Sequence, residues 1–151
     1  MAPLTIEDLK QIKERVLATL APKEGEFRCM VCAGTACVSS NSLKVRERLE
    51  TELKDRGLSE KVKVVITGCN GFCAEGPLMV VNPQGVFYKK LNPDEIPSLV
   101  EEHFLNGRPA EKFLYTEKTT KEKIPLLIDI PFFHHQVLRA LRNRGSIDAE
   151  N

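Results

Sequence analysis

The spacing of apolar positions changes along the chain, and each change marks a different element. In residues 5–20, Leu9, Ile12, Val16 and Leu20 recur at helical intervals, Thr5 and Asp8 have N-terminal capping spacing, and Pro22 stops the pattern. This predicts a helix whose stripe belongs to the core. Residues 26–32 alternate instead, with Phe27, Cys29 and Val31 on one parity, as in a strand. The Ser and Asn cluster at 39–42 offers a cap for a second helix, in which Val45, Leu49 and Leu53 face inward until Gly57. Residues 61–67 then bring Val62, Val64, Val65 and Ile66 in a nearly continuous apolar run, the pattern of a strand covered on both faces. Strand, long helix and strand make a βαβ unit with parallel strands, so the loops leaving both strands emerge at the same carboxyl edge.

Two shorter apolar runs, 78–81 and 86–88, flank Asn82-Pro83-Gln84-Gly85, whose Pro and Gly positions suit a type I turn in a hairpin. Asn92-Pro93-Asp94-Glu95 is a helix start, with Ile96, Leu99, Val100 and Phe104 as the buried face and Asn106-Gly107 as the end. Pro97 sits awkwardly there, because it removes a donor early in the helix. The elements predict an α/β domain with a four-stranded mixed sheet flanked by helices over residues 1–107. Beyond it, 108–130 reads as a linker whose stretch 116–123 is charged and lacks core residues, although 124–130 is apolar. Residues 131–143 are compatible with a helix ending at Gly145.

Composition narrows the function. The 151 residues carry 22 Lys and Arg against 21 Asp and Glu, a net charge of +1, which argues against a nucleic-acid partner that would need a basic face. No run of eighteen apolar residues and no charged-then-apolar leader is present, so the sequence reads as soluble, without signal peptide or membrane span. Five cysteines in such a chain suggest metal binding in a reducing compartment rather than a disulfide framework.

Four of those cysteines fall in two pairs at the ends of the predicted parallel strands: Cys32-Ala-Gly-Thr-Ala-Cys37 and Cys69-Asn-Gly-Phe-Cys73-Ala-Glu-Gly-Pro77. Two irons bridged by two sulfides need four thiolates, two per iron, and each pair sits on one tight loop. Gly34, Gly71 and Gly76 are expected to supply positive φ and close backbone approach. No Lys or Arg lies inside either loop, so backbone N–H groups are the expected local stabilisers of a centre with a net charge of about minus two. A structural zinc site would use the same number of ligands, though its modules prefer spacers of two to four residues. Cys29-Met-Val-Cys32 also matches a redox Cys-x-x-Cys pair, but three extended residues separate the two Cα atoms by about 10 Å, too far for a disulfide. Cys29 therefore reads as a small buried residue.

The spacing of the four cysteines, together with Gly-Cys69-x-Gly71-x-Cys73-x-x-Gly76-Pro77, resembles the thioredoxin-like 2Fe-2S ferredoxins over roughly residues 25–106. That resemblance implies a thioredoxin-like fold and a 2Fe-2S cluster held by Cys32, Cys37, Cys69 and Cys73. It further implies one-electron transfer without turnover by the chain alone, and a cytoplasmic location. Family members occur alone, as a small subunit of bacterial complex I, and fused to the front of flavoprotein subunits of NAD-linked hydrogenases and formate dehydrogenases. Residues 131–151 resemble the opening of the NADH-oxidising flavoprotein subunit, whose glycine-rich flavin and nucleotide motif is absent. The resemblance thus implies an N-terminal piece of a longer subunit, such as a hydrogenase beta subunit. Its partners would be flavin- and iron-sulfur-containing subunits, a homo-oligomer is allowed, and FMN and NAD would belong only to the full-length subunit.

Other residues have competing readings. Pro77 sits where thioredoxin-like folds often place a cis proline, while the general preference is trans. His134 and His135, being adjacent, do not share a helix face and make a poor metal pair. Arg139, Arg142 and Arg144 fit the basic end of a helix, with a nucleotide-phosphate role as the alternative. Phe72 either shields the centre from water or simply packs its loop.

Overall fold

The computed structural model describes residues 4–20 and 25–147. Its sheet runs in the order β2-β1-β3-β4. Strand β1 (Phe27–Cys32) is parallel to β2 (Val62–Thr67) and antiparallel to β3 (Met79–Asn82), which pairs antiparallel with β4 (Val86–Tyr88). The expected βαβ unit and hairpin are both present, so Cys32 and Thr67 end side by side in register.

Alternation along β1 divides the core in two. Cys29 and Val31 join Val45, Leu49 and Leu53 of α3 (Ser42–Asp55) and Ile96, Leu99 and Val100 of α4 (Ile96–Val100) on one face. Met30 and Cys32 enter a second cluster with Leu78, Val80, Phe87, Tyr115 and Ile130 on the other. Asn41 caps α3 in a left-handed conformation without a side-chain bond to the helix, so the expected polar cap is present in place but not in chemistry. The run in β2 is less covered than its composition suggests: Val64, Val65 and Ile66 are half-buried, because β2 is the outer strand of the sheet.

The first helix, α1 (Ile6–Leu20), forms with the expected Thr5 and Asp8 capping bonds, but its stripe is not core. Leu9, Ile12 and Val16 are 54%, 37% and 43% exposed. Both faces of the sheet are already taken, one by α3 and α4 and the other by Tyr115, Ile124, Leu127, Ile130 and Phe133. The side chain of Leu20 and Pro22 lie outside the described residues.

The hairpin between β3 and β4 is not the type I turn expected. Gly85 N–H donates to Val81 O at 2.9 Å, one residue beyond the usual turn bond, and the Asn82–Pro83 peptide is cis. The Gly76–Pro77 peptide is also cis, against the general preference. The helix after Asn92 solves the problem of Pro97 by opening as a 3-10 turn, Pro93–Glu95, in which Asn92 Oδ1 accepts from Asp94 N–H. Ile96 N–H bonds to Pro93 O, so the donor that Pro97 lacks leaves no orphaned carbonyl there. The helix closes as a wide turn, Glu101–Leu105.

Residues 108–130, expected as a linker, lie along the free edge of β4. Lys89 N–H donates to Phe113 O, Phe87 N–H to Pro125 O and Leu127 N–H to Gly85 O, and a small hairpin of β5 (Tyr115–Thr116) and β6 (Lys123–Ile124) spans the charged stretch. An edge strand left open would present unpaired backbone groups, and this segment satisfies them. The helix expected over 131–143 is only the short α5 (Pro131–His134), followed by turns. No helix among the described residues is long and apolar enough to cross a membrane.

Candidate metal centre

Each thiol pair is placed by the carboxyl end of a parallel strand. Cys32 closes β1, its N–H bonded to Leu78 O at 3.0 Å, and Ala33 N–H reaches Thr67 O at 2.9 Å. The chain then turns into α2 (Thr35–Ser39), which carries Cys37. The second loop leaves β2 through Gly68 and ends in a 3-10 turn, Cys73–Glu75. Cys32 and Cys37 are buried, whereas Cys69 and Cys73 are exposed.

The two loops touch through their glycines. A Cβ on Gly34 would stand 2.9 Å from Cys69 Cβ and 3.3 Å from its sulfur, and one on Gly76 would stand 2.9 Å from Cys37 Sγ. Only Gly71 has the positive φ expected of all three, at +83°. Gly34 and Gly76, at φ −60° and −67°, are required for space rather than for backbone conformation. Gly76→Ala is therefore expected to weaken retention of iron under a chelator about tenfold, as changes next to a metal site commonly do. Gly68→Ala, in the same loop with nothing within 4 Å of the new atom, is expected to leave it unchanged.

One sulfur pair has the spacing of two ligands on one ion. Cys69 and Cys73 Sγ lie 3.6 Å apart; two thiolates on one tetrahedral ion, at about 2.3 Å each, stand about 3.8 Å apart. Without metal, burial pushes the Cys37 thiol up to about 12, aided by the hydrogen bond and charge of Cys32 and by the charge of Cys73. Cys73 is raised first by the hydrogen bond and charge of Cys69, then by burial and by Cys32. The thiols thus interact within each pair and across the loops, and metal binding must displace their protons. Among the described residues no three His, Cys, Asp or Glu side chains converge on a single ion.

Backbone donors face the sulfurs as expected. Gly71 N–H donates to Cys69 Sγ at 3.2 Å, and Leu78 N–H bonds to Cys37. Glu75 places a carboxylate beside the loop, and Lys89 at 2.7 Å and Lys90 at 3.8 Å balance it. Burial alone would raise Glu75, but the hydrogen bond and charge of Lys89 with the charges of Lys90 and Lys118 hold it below the ordinary range.

The remaining candidates separate clearly. Cys29 and Cys32 lie in different core clusters on opposite faces, so they do not form a redox pair. Phe72 packs: it stacks on Phe132 at 4.6 Å and contacts Phe87, Tyr115 and Phe133. His134 and His135 are exposed, and His135 Nδ1 bonds to Pro131 O. His103, unremarkable in the sequence, is the buried histidine, 2.7 Å from Tyr88 OH.

Comparison with known proteins agrees with the geometry. A 2Fe-2S ferredoxin of Clostridium pasteurianum is 38% identical over 96 residues, covering 60% of this chain and 94% of that protein. One of Aquifex aeolicus is 29% identical over 83 residues, 54% of this chain and 75% of the relative. The crystal structure of the wild-type thioredoxin-like 2Fe-2S ferredoxin from Aquifex aeolicus superimposes with a TM-score of 0.56 at 26% identity, over 61% of this chain and 98% of that one. The family profile described as thioredoxin-like 2Fe-2S ferredoxin matches residues 19–103, and the chain belongs to that family.

Proposed function

We propose that Cys32, Cys37, Cys69 and Cys73 are the cluster ligands, in the pairs 32/37 and 69/73, and that the chain is the one-electron module of a cytoplasmic NAD(H)-linked oxidoreductase of the hydrogenase or complex I type. When bound, the 2Fe-2S centre takes up and returns one electron. The chain's own residues do the rest. The thiols release their protons to hold the irons, Gly34 and Gly76 leave room for the sulfurs, and the Gly71 and Leu78 N–H groups stabilise negative charge on Cys69 and Cys37.

The observation that carries the ligand assignment is the meeting of two sulfur pairs at one sheet edge, with each loop's glycine against the other loop's cysteine. The NAD-linked setting rests on the resemblance of residues 131–151 to the opening of a flavoprotein subunit. On this reading residues 1–107 are the ferredoxin unit and 108–130 join it to a flavoprotein-like unit that begins at 131. Its partners are flavin- and iron-sulfur-containing subunits.

Protein purified without oxygen is expected to hold about two irons and two sulfides per chain, and to be bleached by one electron per chain in a reductive titration. It should not oxidise NADH by itself, yet should be bleached by NADH once an NADH-reduced flavoprotein subunit is added. One zinc without sulfide would overturn the ligand reading. Indifference to every NADH-reduced flavoprotein, with rapid reduction by other donors, would overturn the NAD-linked setting.

A further inference from the structure

The second cysteine loop is packed at Asn70 and Phe72 against chain that lies some seventy residues further on. Phe132 stacks on Phe72 with 9° between the rings, and Phe133 meets the same ring edge-on at 5.5 Å. Gly145, buried, packs against Asn70. Between these contacts Arg144 is half-buried: it donates to Gln136 Oε1, and its guanidinium lies 5.8 Å from the Phe133 ring centre. Its Nη1 is 3.2 Å from the position a Cβ would take on Gly71, so a side chain there would press the guanidinium back by a few tenths of an ångström. Gly71 is the residue whose N–H bonds to Cys69 Sγ. Among the described residues Arg144 has no carboxylate partner. It lies outside residues 19–103, the part of the chain that the family profile matches.

We propose that Arg144 sets the reduction potential of the centre: its guanidinium, fixed over the Gly71 backbone, holds positive charge against the Cys69–Cys73 loop and favours the reduced state. Reduction adds one negative charge and makes or breaks no bond to the protein, and an arginine keeps its proton throughout. The effect is electrostatic, like the hydrogen bonds and net charge that tune such potentials generally. The inference rests on the ligand assignment made above.

The test is the midpoint potential of the whole chain, titrated anaerobically and followed by electron paramagnetic resonance. Arg144→Gln is expected to weaken electron uptake about tenfold, which for one electron is about 59 mV more negative, while Arg144→Lys stays near the wild type. Arg142→Gln, an exposed cation of the same segment, is expected to move the potential far less. The sign separates charge from structure: loosening the cover would admit water, which favours the more negative state and shifts the potential upward. An upward shift, no shift, or equal shifts in the Arg142 and Arg144 variants would each overturn the proposal. If Arg144→Gln does not load, Arg144→Met measured against Arg144→Lys decides in the same way. Iron missing from the wild type as well would count against the ligand assignment, whereas full iron with an unmoved potential counts against Arg144.

Discussion

Cys69→Ala and Cys73→Ala are expected to yield folded protein with almost no iron or sulfide. Both positions are exposed, so alanine leaves no cavity, and the metal-free fold should change in stability by no more than about 0.5 kcal/mol. Each iron needs two thiolates, and alanine offers no donor atom in place of one. The sulfur left behind lacks its partner thiolate, and the other pair is already engaged; the Glu75 carboxylate beside the loop is held by Lys89 and Lys90. Cys29→Ser is the contrasting variant. It should keep its iron and sulfide, yet lose about 1–3 kcal/mol of stability, because its hydroxyl would be buried in an apolar cluster without a partner. Metal and sulfide analysis with thermal unfolding separates the two effects. Full metal in Cys69→Ala, or a metal-free Cys29→Ser protein that remains folded, would refute the assignment.

What was legible in the sequence is what local chemistry dictates. The parity of β1, the stripe of α3 and the Asn92-Pro93 start follow from neighbours within a few residues, and so does the placing of both cysteine loops at one edge. What was not legible depends on competition between distant segments. The stripe Leu9, Ile12 and Val16 has core spacing, but it stays exposed, and the sheet face away from α3 and α4 is occupied by Tyr115, Ile124, Leu127, Ile130 and Phe133. Charge in 116–123 suggested connecting chain, while the apolar residues on either side, Leu114, Tyr115 and Leu126, dock on β4. The sequence suggests positive φ at Gly34 and Gly76, whereas what they supply is space. Sequence shows that a glycine is present, and only the facing loop shows that a sulfur fills the space beside it. Arg144 has the position of the basic end of a helix, but that helix is only four residues long, and its nearness to Gly71 has no local signal.

His103 shows the same limit and carries the second large effect. The wild type is expected to lose stability steadily as pH falls from 6.5 towards 4, and His103→Gln is expected to lose much less. The His103 ring is buried among Phe27, Phe104 and Tyr88, and burial pushes its pKa down to about 4. Its partners explain how the neutral form is held. Tyr88 OH accepts from Ala110 N–H at 3.0 Å and bonds to His103 Nδ1 at 2.7 Å, which in the neutral ring protonated at Nε2 is the acceptor of the hydroxyl proton. The unfolded chain takes up the proton near the ordinary value of 6.5, while the folded chain resists until about 4. Stability is therefore complete above 6.5 and is lost through the window below it, by at most about 3.5 kcal/mol at about 1.4 kcal/mol per unit. Carboxylates with lowered values, such as Glu75, Glu102 and Glu111, lose their contribution only below 4.5. The interval between 4.5 and 6.5 therefore discriminates. Denaturant unfolding across it, followed by far-ultraviolet circular dichroism, gives the difference between wild type and His103→Gln, from which any acid sensitivity of the metal centre cancels. The variant should start lower at pH 7, because glutamine replaces the imidazole acceptor imperfectly, and then run nearly flat. Parallel lines for the two proteins would mean that His103 takes up its proton inside the fold as readily as outside it.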